Sequence, residues 1–446
     1  MRIKRNILIV AAFAAAAITI SSCSQDDTIV ERQTDGAIGF APLLKGAANT
    51  QTRMVADGKL YSGTNTEAWA SCKMPPSFDV WAYTTKAGGT TDLYMGTQAD
   101  GIKIKRAESY TATDKGWSGK IADSYYWGYD KQGEVTYWPA EELRFYAIAP
   151  AQEDVNSGKH VDADATVTSI ITGWNFQNRL AYFTCDITNN NMEDILIGHK
   201  DQTATVGTPG TYSVNMDFHH ALAKVTFKGK LDDNVNRNLR VEVKTIEICN
   251  LNSQGTCFIN PASATASYND PAGIIQWGSL SGTTFTPNTS TTNSVTTLRT
   301  YALDGSKKIG ADPTDATATS VTESSVTYNT TVDFGTIMAI PQYIFGWDIS
   351  GATPTAATAE GQTQTYIHIV YDIVKQNGVT ILAANTDAYV PVPSGLLEAG
   401  KAYTYVLNFG LGNAVSGSSL GAPITFTVNS VTDWSDQTAT NINLAN

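Results

Sequence analysis

Apolar and polar residues alternate with a period of two along much of this chain. Leu143, Phe145, Ala147 and Ala149 alternate with Arg144, Tyr146 and Ile148, and Val225 and Phe227 alternate with Lys224, Thr226 and Lys228. Ile367, Ile369, Tyr371 and Ile373 share one parity, with His368 and Asp372 on the other. Tyr403, Tyr405, Leu407 and Phe409 repeat the pattern, as do Ile424, Phe426 and Val428. Successive strand side chains point to opposite faces, so each run predicts a strand with one face buried. No stretch carries the 3.6-residue period of a long amphipathic helix. Between Val241 and Ile248 the apolar parity changes from odd (Val241, Val243) to even (Ile246, Ile248). One extra residue resets a strand's parity, so a β-bulge is expected at Lys244 or Thr245.

Turn-forming residues punctuate these runs at Lys86 to Thr91, Asp130 to Gly133, Gly207 to Gly210 and Asn413 to Gly421. Ser279 to Thr297, almost all Ser, Thr, Asn, Gly and Pro, and the similar stretch Ala311 to Ser325 predict long loops. The expected class is all-β. The polar segment Thr203 to Gly210 suggests a boundary, dividing the chain into one β-sandwich over residues 54–206 and a second over 207–446. No repeat of 20–50 residues points to a solenoid.

The chain carries a net charge of −12, with only 16% charged residues. Without clustered Lys and Arg it lacks the means to neutralise phosphates, so nucleic acid is not an expected partner. The abundance of Thr, Ser, Asn and Gly fits a turn-rich extracellular β-protein. Besides Cys23 there are four cysteines, at 72, 185, 249 and 257. Cys249 and Cys257 flank the turn signal Asn252-Ser253-Gln254-Gly255, so they could face each other across a hairpin as a disulfide, or be two small buried thiols. No Cys/His spacing suggests a metal.

The first 53 residues are the most specific stretch. Arg2, Lys4 and Arg5 precede the apolar run Ile7 to Ile20, followed by Ser21-Ser22-Cys23. A basic start, a short apolar run and small residues before the cut make a secretory signal, residues 1–22, too short to span a membrane. Small residues ahead of Cys23 resemble the lipobox of bacterial lipoproteins, which implies acyl (palmitate-type) chains on that cysteine and anchorage in the cell outer membrane. Asp26-Asp27 resembles a surface-export signal. Within residues 23–53, Ile38, Phe40, Pro42 and Leu44 fall on alternate positions, so one face can plug a groove. Pro42 lacks the ladder donor and suits an edge strand. Burying three large side chains is worth roughly 1.5–3 kcal/mol each. Arg53-Met54 lies in small, polar surroundings, and a cut there would free that strand; Arg32 is the competing position, but a cut there would leave the strand in place.

Ordered blocks extend over most of the chain: Gly39-Phe40; Thr52-Arg53; Phe78-Asp79-Val80-Trp81-Ala82-Tyr83; Tyr137-Trp138-Pro139 with Leu143-Arg144-Phe145-Tyr146-Ala147; Asp194-Ile195-Leu196; Phe218-His219-His220-Ala221-Leu222-Ala223-Lys224-Val225; and Val431-Thr432-Asp433-Trp434. Together they resemble the fimbrillin family, the subunits of Bacteroidetes type V pili, in its fimbrillin-like (Mfa-like) branch. The resemblance implies two tandem transthyretin-like β-sandwiches. It also implies a lipoprotein precursor, an Arg-specific maturation protease, loss of the first strand, and strand addition from other pilus subunits into the vacated groove of a fimbrium. Only Ser435 to Asn446 follow Trp434, with Ile442 and Leu444 as apolar plugs. That is thin for a donor strand and favours a tip or accessory subunit over a stalk subunit.

Residues that invite other chemistry have plainer readings. His219 and His220 on a strand face apart and do not jointly chelate. Glu141-Glu142 lacks the convergence of a glycosidase pair, and no nucleophile elbow, zinc-protease motif or phosphate loop is present. Asp232-Asp233-Asn234 is not followed by calcium-loop spacing. Neither enzyme activity nor a cofactor is expected. Trp117, Tyr125, Tyr126, Trp127 and Tyr129 are candidates for stacking on host or mucin glycans, or else they are core. A monomeric glycan-binding surface lipoprotein that keeps its first strand is the alternative function.

Overall fold

A computed structural model describes residues 36–44, 77–85, 91–97, 100–107, 126–151, 171–175, 180–183, 195–204, 212–231, 239–253, 255–259, 275–281, 284–288, 298–310, 331–346, 363–375, 381–409 and 425–433. Among them the regular elements are strands, apart from one 3-10 turn at Gln132–Glu134, and the class is all-β. Cys23, Arg53 and Met54, with the rest of the leader, lie outside the described residues, as do Trp117, Tyr125 and Asp232-Asp233-Asn234.

The first sheet has eight strands. Its order is β1 (Gly39–Leu44), β10 (Ser213–His220), β9 (Leu196–Gln202), β6 (Leu143–Ala149), β2 (Ser77–Thr85), β4 (Ile102–Ala107) and β5 (Tyr126–Tyr129), with β3 (Thr91–Met95) also paired to β2. A second sheet runs β15 (Thr284–Pro287), β14 (Ile275–Ser281), β13 (Gly255–Ile259), β8 (Leu180–Phe183) and β7 (Ile171–Asn175). A third runs β16 (Leu298–Ala302), β12 (Leu239–Asn252), β20 (Tyr366–Lys375) and β21 (Ile381–Pro391), with β17 (Lys308–Ile309) on β12. The fourth is β18 (Val332–Ala339), β11 (Ala223–Leu231), β23 (Lys401–Phe409) and β24 (Thr425–Asp433); β19 (Gln342–Ile344) and β22 (Gly395–Leu397) form a small ribbon.

The first sheet has two apolar faces. Phe78, Val80 and Ala82 of β2 and Leu143, Phe145, Ala147 and Ala149 of β6 enter a core of their own. Trp81, Tyr83, Tyr146, Ile148, Ile195 and Ile197 point the other way, into a larger core shared with the C-terminal half. In that half the third and fourth sheets face each other: Tyr371 of β20 meets Phe409 of β23 edge to face at 5.7 Å. The expected bulge is present. Val243 pairs with Tyr371 and Thr245 with Val370, so Lys244 is the inserted residue and Ile246 and Ile248 return to the core. Gly305 passes so close that a Cβ would sit 2.6 Å from the Lys244 carbonyl oxygen. Lys244 reaches Asp372 at 2.7 Å. Burial opposes ionisation of Asp372, but the hydrogen bonds and charge of Lys244 and the Asn385 amide outweigh it and hold the carboxyl below its ordinary range.

β10 pairs with β9 and β1 and sends Val214, Met216 and Phe218 into the first core, whereas β7 and β8, earlier in the chain, join β13 in the second sheet. Two expectations need correcting. The stretch after Ser279 is not all loop: Thr284–Pro287 pairs with β14. Cys249 and Cys257 are not a disulfide but separate buried thiols. Their strands do not form a hairpin: β12 pairs with β16, β17 and β20, whereas β13 pairs with β8 and β14. Burial also pushes the Cys249 thiol up, against hydrogen bonds with Thr300 and Tyr366. Both thiols are expected to resist a soluble alkylating reagent in the folded protein and to react fully once it is unfolded; mass spectrometry of the labelled peptides checks this.

Candidate functional site

The feature that stands apart chemically is β1. It is an edge strand with one sheet partner, running parallel to β10 from Gly39 opposite Ser213 to Leu44 opposite Phe218. The next described strand of its sheet in chain order is β2, which begins at Ser77. Ile38 and Phe40 are fully buried, as the alternation predicts, and Pro42 is buried too. Of Leu44 only the backbone is described. The placement of Pro42 on an edge is what a residue without an N–H requires.

Phe40 is the centre of the packing. Its ring meets Phe78 at 5.9 Å and 81°, Phe145 at 6.0 Å and 83°, and Tyr129 at 6.2 Å and 65°. Three edge-to-face contacts make a pocket whose walls are rings. Tyr129 belongs to β5, at the opposite edge of the sheet. Its hydroxyl donates to the Ile38 carbonyl at 3.0 Å. The sheet therefore rolls until its two edges meet, and β1 is the piece that closes it. Burial raises the Tyr129 phenol, against hydrogen bonds with Thr136, and keeps it a donor. Thr136 accepts from the Ile38 amide at 2.8 Å and Gly36 from the Trp138 amide at 3.0 Å, while the Gly39 amide donates to Tyr212 at 3.0 Å. The Trp138 indole adds a bond to the Tyr212 carbonyl at 2.9 Å. The two large side chains contribute roughly 1.5–3 kcal/mol each, as an upper estimate.

Other tempting residues fall elsewhere. Trp127 and Tyr129 are core, not a sugar platform. Tyr126 opens β5, with its side chain outside what is described. Glu141 and Glu142 sit in the exposed bend before β6. His219 is half-buried and His220 buried on opposite faces of β10. No group of three His, Cys, Asp or Glu suited to a metal occurs among the described residues. The closure of the sheet by Tyr129 was missed by sequence reasoning. Its signal is weak, because Tyr129 in a Gly- and aromatic-rich stretch reads equally as surface.

The fold and this site define an all-β protein whose first described strand is an edge strand that completes its first core. A family model described as fimbrillin-like matches residues 52–434, and the chain belongs to the fimbrillin-like family. Among solved structures, it is similar to a fimbrial protein from Bacteroides vulgatus, with 16% identity over 89% of this chain and 99% of that one, TM-score 0.46. It is also similar to a fimbrial assembly protein from Parabacteroides distasonis, with 10% identity over 84% and 94%, TM-score 0.31. A third is the tip fimbrial protein Mfa3 from Porphyromonas gingivalis, C-terminally truncated, with 10% identity over 81% and 95%, TM-score 0.29. No curated protein matches.

Proposed function

We propose that the protein is a structural and adhesive subunit of a cell-surface fimbrium. It is exported as a lipoprotein precursor through Cys23, cut after Arg53, and assembled with other subunits by strand addition. The observation that carries this reading is β1: an edge strand, buried in an aromatic pocket, that closes the first core and lies N-terminal to the fimbrillin-like match beginning at residue 52. An edge strand that leaves exposes unpaired backbone groups above an apolar groove, which favours addition of another strand. The outer membrane holds the precursor by lipid before the cut, and the fimbrium holds the subunit after it. The place of the subunit, tip or accessory more than stalk, is part of the proposal.

Limited digestion of the lipid-free precursor with an Arg-specific protease, N-terminal sequencing and unheated denaturing gels test it. A new N-terminus at Met54 is the expected result. Ladders that resist detergent would make the protein a self-assembling stalk subunit. A clean cut without ladders would fit a tip or accessory role that needs another subunit's strand. An intact chain after digestion would remove the maturation step.

A further inference from the structure

In the third sheet β20 lies between β12 and β21, and both neighbours carry inserted residues beside Tyr371. On β12, Val243 pairs with Tyr371 and Thr245 with Val370, which leaves Lys244 as the insertion. On β21, Thr386 pairs with Tyr371 and Ala383 with Ile373, so Ala384 and Asn385 together face Asp372. Asn385 takes a φ of 49°, in the left-handed region that few residues other than Gly adopt. A bulge re-aims a side chain, and here both bulges aim at one point. Lys244 Nζ lies 2.7 Å from Asp372 Oδ1 and donates to Asn385 Oδ1 at 2.8 Å. The Asn385 backbone N–H donates to the same Asp372 oxygen at 2.7 Å. An amine, a carboxamide and a carboxylate from three adjacent strands therefore meet.

We propose that this triad modifies itself: Lys244 and Asn385 join through an intramolecular isopeptide bond, with Asp372 as the proton carrier. The inference is independent of the strand-addition reading. The Asp372 carboxylate takes a proton from the Lys244 ammonium, and the freed electron pair attacks Asn385 Cγ. The new Cγ–Nζ bond forms and the Cγ–Nδ2 bond breaks. The leaving nitrogen collects both protons that the lysine nitrogen gives up, one of them from Asp372, and departs as ammonium. The carboxylate is regenerated, and no oxidant, reductant or co-reactant is needed. Proton transfer from an ammonium to a carboxylate is uphill, so the step is slow. It has to occur only once per molecule, and groups held in contact react with effective molarities of roughly 10⁵–10⁸ M. The lysine side chain is 43% exposed, which lets the ammonium escape and leaves the reverse reaction without a partner. Asn385 supplies the acyl group because its carboxamide is neutral. Burial opposes ionisation of Asp372, but the Lys244 and Asn385 hydrogen bonds hold it below its ordinary range, and an ionised carboxyl repels a nucleophile. The bond joins β12 to β21, the edge strand of the sheet, across β20. It closes a loop between residues 141 positions apart, so the edge strand is held covalently and the unfolded chain loses freedom.

Intact-mass spectrometry of the purified full chain, made without lipid, tests this. The mass is expected to fall short of the sequence by one ammonia, and tandem spectra of a digest to show the Lys244 peptide joined to the Asn385 peptide. Lys244→Arg, which keeps the charge beside Asp372, is expected to restore the full mass, as is Asn385→Ala. Asp372→Ala is expected to lose most of the bond; circular dichroism establishes that each variant is folded. Full mass in the parent after prolonged incubation would overturn the proposal. An ammonia loss that persists in folded Lys244→Arg would do the same, because it arises elsewhere in the chain. Lys244 joined to Asp372 with loss of water would overturn the role of Asn385. A bond formed in equal yield in Asp372→Ala would overturn that of Asp372.

Discussion

Phe40→Ala is expected to lower the unfolding free energy of the intact precursor by about 3–5 kcal/mol, read from denaturant curves of variant and parent. The ring is fully buried, and its removal leaves the edges of three aromatic neighbours facing a hollow. Those neighbours sit on β2, β5 and β6, strands paired along their lengths, so the hollow cannot collapse cheaply. Phe40→Leu, which keeps apolar volume but loses the ring, is expected to cost less. The second consequence is local. With its anchor gone, β1 opens more often than the sheet behind it, because edge elements unfold below the global free energy. Faster hydrogen exchange at Gly39 than in β6 follows. A variant as stable as its parent would mean that β1 contributes little packing, and strand addition would then lack its driving force.

How much of this was legible in the sequence depends on the range of the signal. Period-two runs placed β6, β11, β20 and β23, because one face of each strand had to be apolar. The parity change between Val243 and Ile246 located the bulge for the same reason. The alternation of Ile38, Phe40 and Pro42 identified β1 and its buried face. What the sequence hid was which sheet each strand joins. Asn252 to Gly255 reads as a hairpin turn, yet the chain crosses there from the third sheet to the second, and the cysteines part company. β7 and β8 join β13 in the second sheet, although β6 and β9 on either side of them in the chain belong to the first. Thr284–Pro287 reads as loop because threonine and proline are common in both settings; pairing with β14 decides it. The pocket for Phe40 combines residues from positions 40, 78, 129 and 145, a long-range arrangement that no local window contains.

Trp277→Ala is expected to cost about 3–5 kcal/mol as well, but in a different place and with a different dependence on maturation. Trp277 is fully buried in the larger core, and its indole donates to the Ala221 carbonyl at 2.7 Å. It lies on β14 of the second sheet, while Ala221 lies between β10 of the first and β11 of the fourth. One side chain thus ties three sheets together. Gly255 makes room for it: a Cβ there would approach the ring to 3.0 Å. Trp277→Phe keeps most of the apolar volume but leaves the carbonyl without its donor, so about 1–3 kcal/mol of the loss should remain. The contrast with Phe40 is informative. If another strand replaces β1 after cleavage, Phe40 leaves with it, and Phe40→Ala stops mattering in the assembled form. Trp277→Ala weakens precursor and assembled subunit alike. Denaturant curves of both variants, before and after the strand is exchanged, would separate the two cores; a Phe40→Ala penalty that survives exchange would show that β1 never left.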